Sequence, residues 1–245
     1  MGRNVASTVG LTLLLFVILA GCRQDGLNRA LDTAGRMMGA ETRLSDDTLV
    51  RGLKEALRVG TGRAVRRVSE PGGYLRNPRI RIPLPEPVRK VEDAARRTGF
   101  GYLVDDFEES MNRAAETAAP EAKEVFLDAV SRMSFSDARQ ILQGEDDAAT
   151  EYFRDKTYAR LSDRFEPIVH DAMDRVGVTR NYQRLRGGIE NLPLIRLQEL
   201  ELDRYVTNKA LDGLFHMLAL EEKRIRNDPA ARATELLRKV FGSRG

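Results

Sequence analysis

From Leu44 onward the hydrophobic residues recur at three- and four-residue spacing, the period of amphipathic helices. Ser45 can cap a helix carrying Leu49, Val50, Leu53, Ala56 and Leu57, and the Gly60-Thr61-Gly62-Arg63 stretch reads as its stop. A second short helix, Ala64 to Ser69, ends at Pro71-Gly72-Gly73. The period then changes: Ile80, Ile82 and Leu84 alternate with Arg79, Arg81 and Pro83, a strand-like pattern that Pro78, Pro83 and Pro85 confine to an edge or an extended loop. Glu86 to Thr98 forms a helix before Gly99, and Leu103, Phe107, Met111, Ala114 and Ala118 make the stripe of another. Pro120 suits the first turn of the next helix, with Val125, Phe126 and Val130 on its apolar face. Ser136 and Asp137 open a short helix to Leu142, and after Gly144 the Asp146-Asp147 pair favours the start of the helix carrying Ala149, Tyr152 and Phe153. Pro167 is expected to kink or restart that helix and Gly177 to end it. Leu202 to about Asn227 has an apolar face wide enough for a central position, and Pro229 starts a last helix, Ala230 to Phe241. The pattern predicts a mainly α, multi-helix bundle in one domain over residues 43–242, with at most one short β-hairpin or extended segment near residues 72–85.

The first residues follow a different rule. Arg3 supplies a positive start, Val9 to Ala20 an apolar run of 12 residues, and Leu19-Ala20-Gly21-Cys22 a small-residue site ending at a cysteine. That is the layout of a bacterial lipoprotein signal peptide, residues 1–21. As a helix the run would span about 18 Å, too short for a bilayer core of roughly 30 Å. Cys22 is the only cysteine in the chain, so a disulfide framework is excluded and the expected modification is acylation, of the palmitate type. Each buried methylene contributes about 0.8 kcal/mol, so two or three acyl chains make a durable anchor. Residues 22–42 read as a lipidated tether. With Arg23 rather than Asp after the cysteine, the expected location is the periplasmic face of the outer membrane.

Charge changes the picture only locally. Residues 22–245 hold 39 basic against 37 acidic side chains, a balance that does not demand nucleic acid. Residues 51–97, however, carry 13 basic and 5 acidic side chains, and residues 98–151 carry 4 basic and 13 acidic. The two stretches can neutralise one another as salt-bridged helix faces. Alternatively the basic one, through Arg63, Arg66, Arg67, Arg76, Arg79 and Arg81, can meet anionic headgroups. Stacking aromatics are absent from it except Tyr74, which argues against a nucleic-acid partner.

Gly52-Leu53-Lys54-Glu55-Ala56-Leu57, Met111-Asn112-Arg113-Ala114-Ala115-Glu116, Asp137 to Gly144 with Ala148-Ala149-Thr150, Tyr205-Val206-Thr207, Ala210 to Phe215 and Glu222-Lys223-Arg224-Ile225-Arg226 together resemble an uncharacterised bacterial lipoprotein family, domain of unknown function 4197. The likeness covers roughly Leu44 to Phe241. It implies an exported helical lipoprotein and supplies no activity, cofactor or catalytic residue.

Constellations with chemical capacity are few. The two histidines each follow a carboxylate by four residues, Glu166 before His170 and Asp212 before His216, a spacing that puts each pair on one helix face. Facing helices could bring the four together around a metal ion, although Pro167 interrupts the first pair and the apolar neighbours of both histidines suggest packing. There is no Gly-x-Ser-x-Gly elbow and no Walker lysine after Gly60-Thr61-Gly62. Asp105, Asp106, Glu108 and Glu109 are read as first-turn acids answering a helix dipole. Asn112, Arg113 and Glu116, and Glu151, Arg154, Asp155 and Lys156 near Tyr152-Phe153, can line a polar pocket or form interhelical salt bridges. No cofactor and no catalytic residue is assigned. The expected function is a non-enzymatic binding or envelope-organising role, its partners being the membrane through the anchor and either anionic headgroups or another envelope protein. The alternatives are a metal-dependent hydrolase or metal-binding protein using Glu166, His170, Asp212 and His216, and a carrier of an apolar or lipid ligand.

Overall fold

Helix α1 spans Asp46–Ser69, α2 Glu86–Arg97, α3 Gly101–Ala118, α4 Ala122–Arg132, α5 Phe135–Gln143, α6 Ala148–Val176, α7 Val178–Ile189 and α8 Leu202–Asn227, with 3-10 turns at Ala119–Glu121 and Pro229–Ala231. The structure, a computed structural model, describes residues 46–189 and 201–231 together with Thr234 and Arg238. The expected signal peptide at 1–21, Cys22, the expected tether at 22–42, the expected cap at Ser45 and most of the helix expected after Pro229 lie outside those residues. Among the described residues there is no strand, and the protein is a mainly α multi-helix bundle. The 72–85 stretch is turn and extended backbone.

Several boundaries differ from the sequence reading. α1 runs unbroken through Gly60-Thr61-Gly62, so the expected stop and the separate helix from Ala64 are one element. The helix continues there because Thr61 is buried and its hydroxyl donates to the Leu57 carbonyl at 2.7 Å, while Gly60 faces Ile225 of α8. α5 begins one residue earlier than expected, at Phe135: the Ser134 hydroxyl accepts from the Asp137 amide at 3.1 Å and Asp137 accepts from the Ser134 amide at 2.9 Å, a capping box. α6 passes through Pro167 without restarting, held on different sides by α3, α4, α5, α7 and α8. The acids at 105–109 fall after the first turn of α3, which begins at Gly101, so the helix dipole does not explain them. α7 has no counterpart in the sequence reading. Gly99 and Gly177 do end helices in the left-handed conformation, with φ of 88° and 76°.

The core is aromatic at its centre. Phe126 of α4 meets Phe153 of α6 and Phe215 of α8 edge to face, with centroids 5.3 and 5.8 Å apart. Phe107 of α3 meets Tyr182 of α7 at 5.4 Å. α6 and α8 form the principal pair, with α3 against both. Thirteen residues of α8 are buried, including the carboxylates Glu221 and Glu222. The apolar slot between Leu53, Ala56, Leu57, Leu218 and Ile225 holds about 20 Å³, little more than one water occupies.

Candidate functional site

Three polar side chains on helices reach across the bundle to hold backbone elsewhere. Asn112, fully buried on α3, accepts from the Ile82 amide at 2.8 Å and donates to the Ile82 carbonyl at 3.0 Å and the Glu108 carbonyl at 2.8 Å. Its amide thus stands where a sheet neighbour would, and the alternation in the sequence is preserved with Ile80, Ile82 and Leu84 buried and Arg79, Arg81 and Pro83 exposed. One helical turn on, Glu116 accepts from three amides of the preceding turn, Gly72 and Tyr74 at 3.0 Å and Leu75 at 3.3 Å. Gly72 is left-handed, with φ of 83°, and the converging amides make an anion-binding nest already filled by the chain's own carboxylate. Glu222 of α8 does the same for α6, accepting from the Ala149 amide at 2.9 Å, the Thr150 amide at 2.8 Å and the Thr150 hydroxyl at 2.9 Å. It also pairs with Arg226, which donates onward to the Ile141 carbonyl. Asp147 provides no side-chain cap there.

The Asn112 and Glu116 braces fix the segment between α1 and α2 as a platform. Tyr74 is buried beneath it and donates to the Ala210 carbonyl at 2.7 Å; burial and the Glu116 charge push its hydroxyl far above the ordinary tyrosine range, so it stays protonated. Two glycines are needed for the fit. A Cβ on Gly73 would lie 2.5 Å from the Arg67 carbonyl, and one on Gly213 would lie 2.7 Å from the Tyr74 ring.

The six arginines of the basic stretch divide. Arg67, Arg76 and Arg79 line one open cavity of about 580 Å³ at the outer side of the turn, together with Glu70, Asn77, Met217 and Leu220. Arg76 lies over Gly72 with its guanidinium donating to the Pro71 carbonyl at 2.8 Å, and also borders a second cavity of about 460 Å³ with Arg113 and Glu116. Arg66 is exposed on the last turn of α1. Arg63 is half-buried and donates to the Ala231 carbonyl at 3.1 Å, and Arg81 is held by Glu108 through two hydrogen bonds. The acidic stretch meets the basic one at that pair and at Arg96–Asp105, 2.7 Å apart. Glu109 pairs with Arg113.

The histidines are not core residues, which corrects the packing role read from their neighbours. His216 is exposed, and Asp212 pairs with Arg154, which itself lies over the Phe215 ring. His170, 55% exposed, meets Asp203 of α8 at 2.8 Å and Asp174 at 3.6 Å rather than Glu166. Asp203 and His216 are separated by 13 residues of α8, about 20 Å of helix, so the two imidazoles do not converge. Among the described residues no group of three or more His, Cys, Asp or Glu is placed to hold a metal ion.

His170 lines an open cavity of about 640 Å³ with Glu166, Arg186, Glu201, Asp203 and Arg204. The hydrogen bond that Asp203 accepts from the imidazole, then its charge and those of Asp174 and Asp171, raise the imidazole pKa above the ordinary 6.5. Because the folded value is the higher one, this contact adds stability fully below about pH 6.5 and loses it as pH rises through the raised value. Asp203→Asn is expected to return the His170 titration, followed by the NMR shift of its ring protons, toward 6.5. An unchanged midpoint would remove Asp203 as the cause.

Polar groups that sequence reasoning could treat only as neighbours of an apolar stripe are therefore the structural centre. A signal did exist for Glu222, which stands four residues after Leu218 and three before Ile225 on the buried face. No match was found among curated proteins or among solved structures. The family model described as a protein of unknown function, DUF4197, matches residues 43–242. The strings that carry this likeness contain the braces: Asn112 and Glu116 share one, Glu222 and Arg226 another, and Ala149 and Thr150, which Glu222 caps, a third. The chain belongs to the DUF4197 family of proteins of unknown function.

Proposed function

We propose that this protein is a non-enzymatic binding module, anchored through acylated Cys22 to the periplasmic face of the outer membrane, whose arginine turn meets an anionic envelope component. One observation carries the reading: three buried polar side chains, Tyr74, Asn112 and Glu116, fix the turn at 70–82, while Arg66, Arg67, Arg76 and Arg79 on and beside it face outward. Rigid presentation of charge lowers the ordering cost of binding, which a scaffold for recognition needs. The two amide clusters best suited to a phosphate are occupied by Glu116 and Glu222, so an external anion must be held by side chains. The address rests on the sequence of residues 1–22.

The test begins with the anchor. Metabolic labelling with a fatty-acid analogue is expected to mark the wild-type protein and to miss Cys22→Ser, and membrane fractionation is expected to place the labelled form with the outer membrane. Equal labelling of both forms would overturn the anchor.

A further inference from the structure

We infer that the open cavity bordered by Arg67, Arg76 and Arg79 on one side and Met217 and Leu220 on the other binds the phosphate ester of an anionic phospholipid headgroup. This deepens the proposed function and rests on its membrane address. The lining has two chemistries. Three guanidinium groups face one carboxylate, Glu70; Asn77 and the Gly72-Gly73 backbone add polar groups, and Pro71, Pro78, Met217 and the half-buried Leu220 supply the apolar part of the wall. Guanidinium groups match a phosphate in charge and in fork geometry. The apolar wall matches the glycerol and upper acyl carbons that adjoin a lipid phosphate, which a free inorganic phosphate lacks. A volume of about 580 Å³ lies within the range of small-molecule sites, roughly 300 to 1,000 Å³.

The arginines are placed rather than merely present. Arg67 leaves the last turn of α1, and its Nη1 stays 3.6 Å from Glu221, beyond hydrogen-bond reach. Glu221 is 4% exposed, and its other oxygen has no hydrogen-bond partner among the described residues. That carboxylate supplies countercharge without consuming the Arg67 donors in a tight fork. Arg76 is pinned at one nitrogen by Pro71, and Arg79 leaves a turn closed by its own amide donating to Asn77 Oδ1 at 3.1 Å. Asn77 in turn touches the Met217 sulfur at 3.5 Å, tying the charged rim to the apolar wall. Beneath them Tyr74, Glu116 and Asn112 keep the platform in register.

The full chain, purified in non-ionic detergent, is titrated with dihexanoyl-phosphatidylglycerol, dihexanoyl-phosphatidylcholine and inorganic phosphate. The anionic lipid is expected to bind about tenfold more tightly than either of the others, more weakly as salt rises. Arg67→Gln/Arg76→Gln/Arg79→Gln is expected to remove that preference, and Leu220→Gln to weaken the lipid while leaving phosphate unchanged. Arg89→Gln, on the far side of the basic stretch in α2, is the control and is expected to bind as wild type. All five are exposed or half-buried positions, and a melting curve for each variant verifies the fold. Equal binding of the two lipids, or a triple variant that binds like wild type, overturns the proposal. Phosphate as tight as the anionic lipid also overturns it, reassigning the cavity to a free anion. Loss of the Cys22 label would remove the membrane address while leaving these titrations as they are, so the two failures are distinguishable.

Discussion

Glu222→Ala is expected to cost about 3–5 kcal/mol of folding free energy, because it removes one partner of a buried ion pair and leaves Arg226 charged in the interior. Both side chains are less than a tenth exposed. The same change strips the acceptor from the Ala149 and Thr150 amides and the Thr150 hydroxyl, so the first turn of α6 loses its cap. At roughly 2–4 °C per kcal/mol for a domain of this size, the melting midpoint should fall by roughly 10 °C. Glu222→Gln separates the two effects: its carbonyl oxygen can still accept from one amide, but it cannot neutralise Arg226, so an intermediate loss is expected. Adding Arg226→Met to Glu222→Gln should recover part of it, because the buried guanidinium that lost its carboxylate is then gone. Urea titration of these four proteins and of Arg226→Met alone closes the cycle. A Glu222→Ala variant within about 1 kcal/mol of wild type would show that water replaces the carboxylate at the α6 terminus.

How much of this arrangement the sequence discloses depends on the range of the interaction. The periodicity of Leu202–Asn227 places α8 to the residue, and Gly99 and Gly177 mark helix ends because a left-handed residue is a local requirement. At Gly60-Thr61-Gly62 the same local rule misleads. The glycines weaken a helix by about 1 kcal/mol each, yet the packing of Leu53, Ala56, Leu57, Ala64, Val65 and Val68 on both sides of them carries α1 through. α7 is missed for the opposite reason, since Val178, Tyr182 and Leu185 give it only a narrow apolar stripe before Gly187-Gly188.

The candidate site divides along the same line. That residues 51–97 are basic is plain from composition, but which arginines share a cavity depends on partners far along the chain. Arg81 is taken by Glu108, 27 residues away, and Arg63 by Ala231, 168 residues away. Asn112 and Glu116 are recognisable as polar residues beside the Leu103-Phe107-Met111 stripe. Their targets, the amides of Gly72, Tyr74, Leu75 and Ile82, belong to a segment whose own pattern suggests a strand, and nothing local says that side chains will serve in place of a sheet neighbour.

Glu116→Ala should therefore weaken both the fold and the arginine platform. Of the three amides it satisfies, the Tyr74 amide bond is buried, while those of Gly72 and Leu75 are only part-buried beside an open cavity of about 460 Å³ and can be rehydrated. One stranded amide plus two partly compensated ones costs about 2–3 kcal/mol. Glu116→Gln should lose nearly as much. A carboxylate accepts at both oxygens, and here Oε1 serves Tyr74 and Leu75 while Oε2 serves Gly72; a glutamine presents hydrogens at one of those two places and repels the amide it faces. Amide hydrogen exchange is expected to accelerate at Tyr74 and Leu75 in both variants, with the cores of α6 and α8 protected as before. Because Arg67, Arg76 and Arg79 depend on this turn for their placement, the preference for anionic lipid should also decline, although no arginine has been altered. If exchange quickens at Tyr74 and Leu75 while the lipid preference stays at the wild-type level, the arginines act as independent surface charges and rigidity of the turn has no part in recognition.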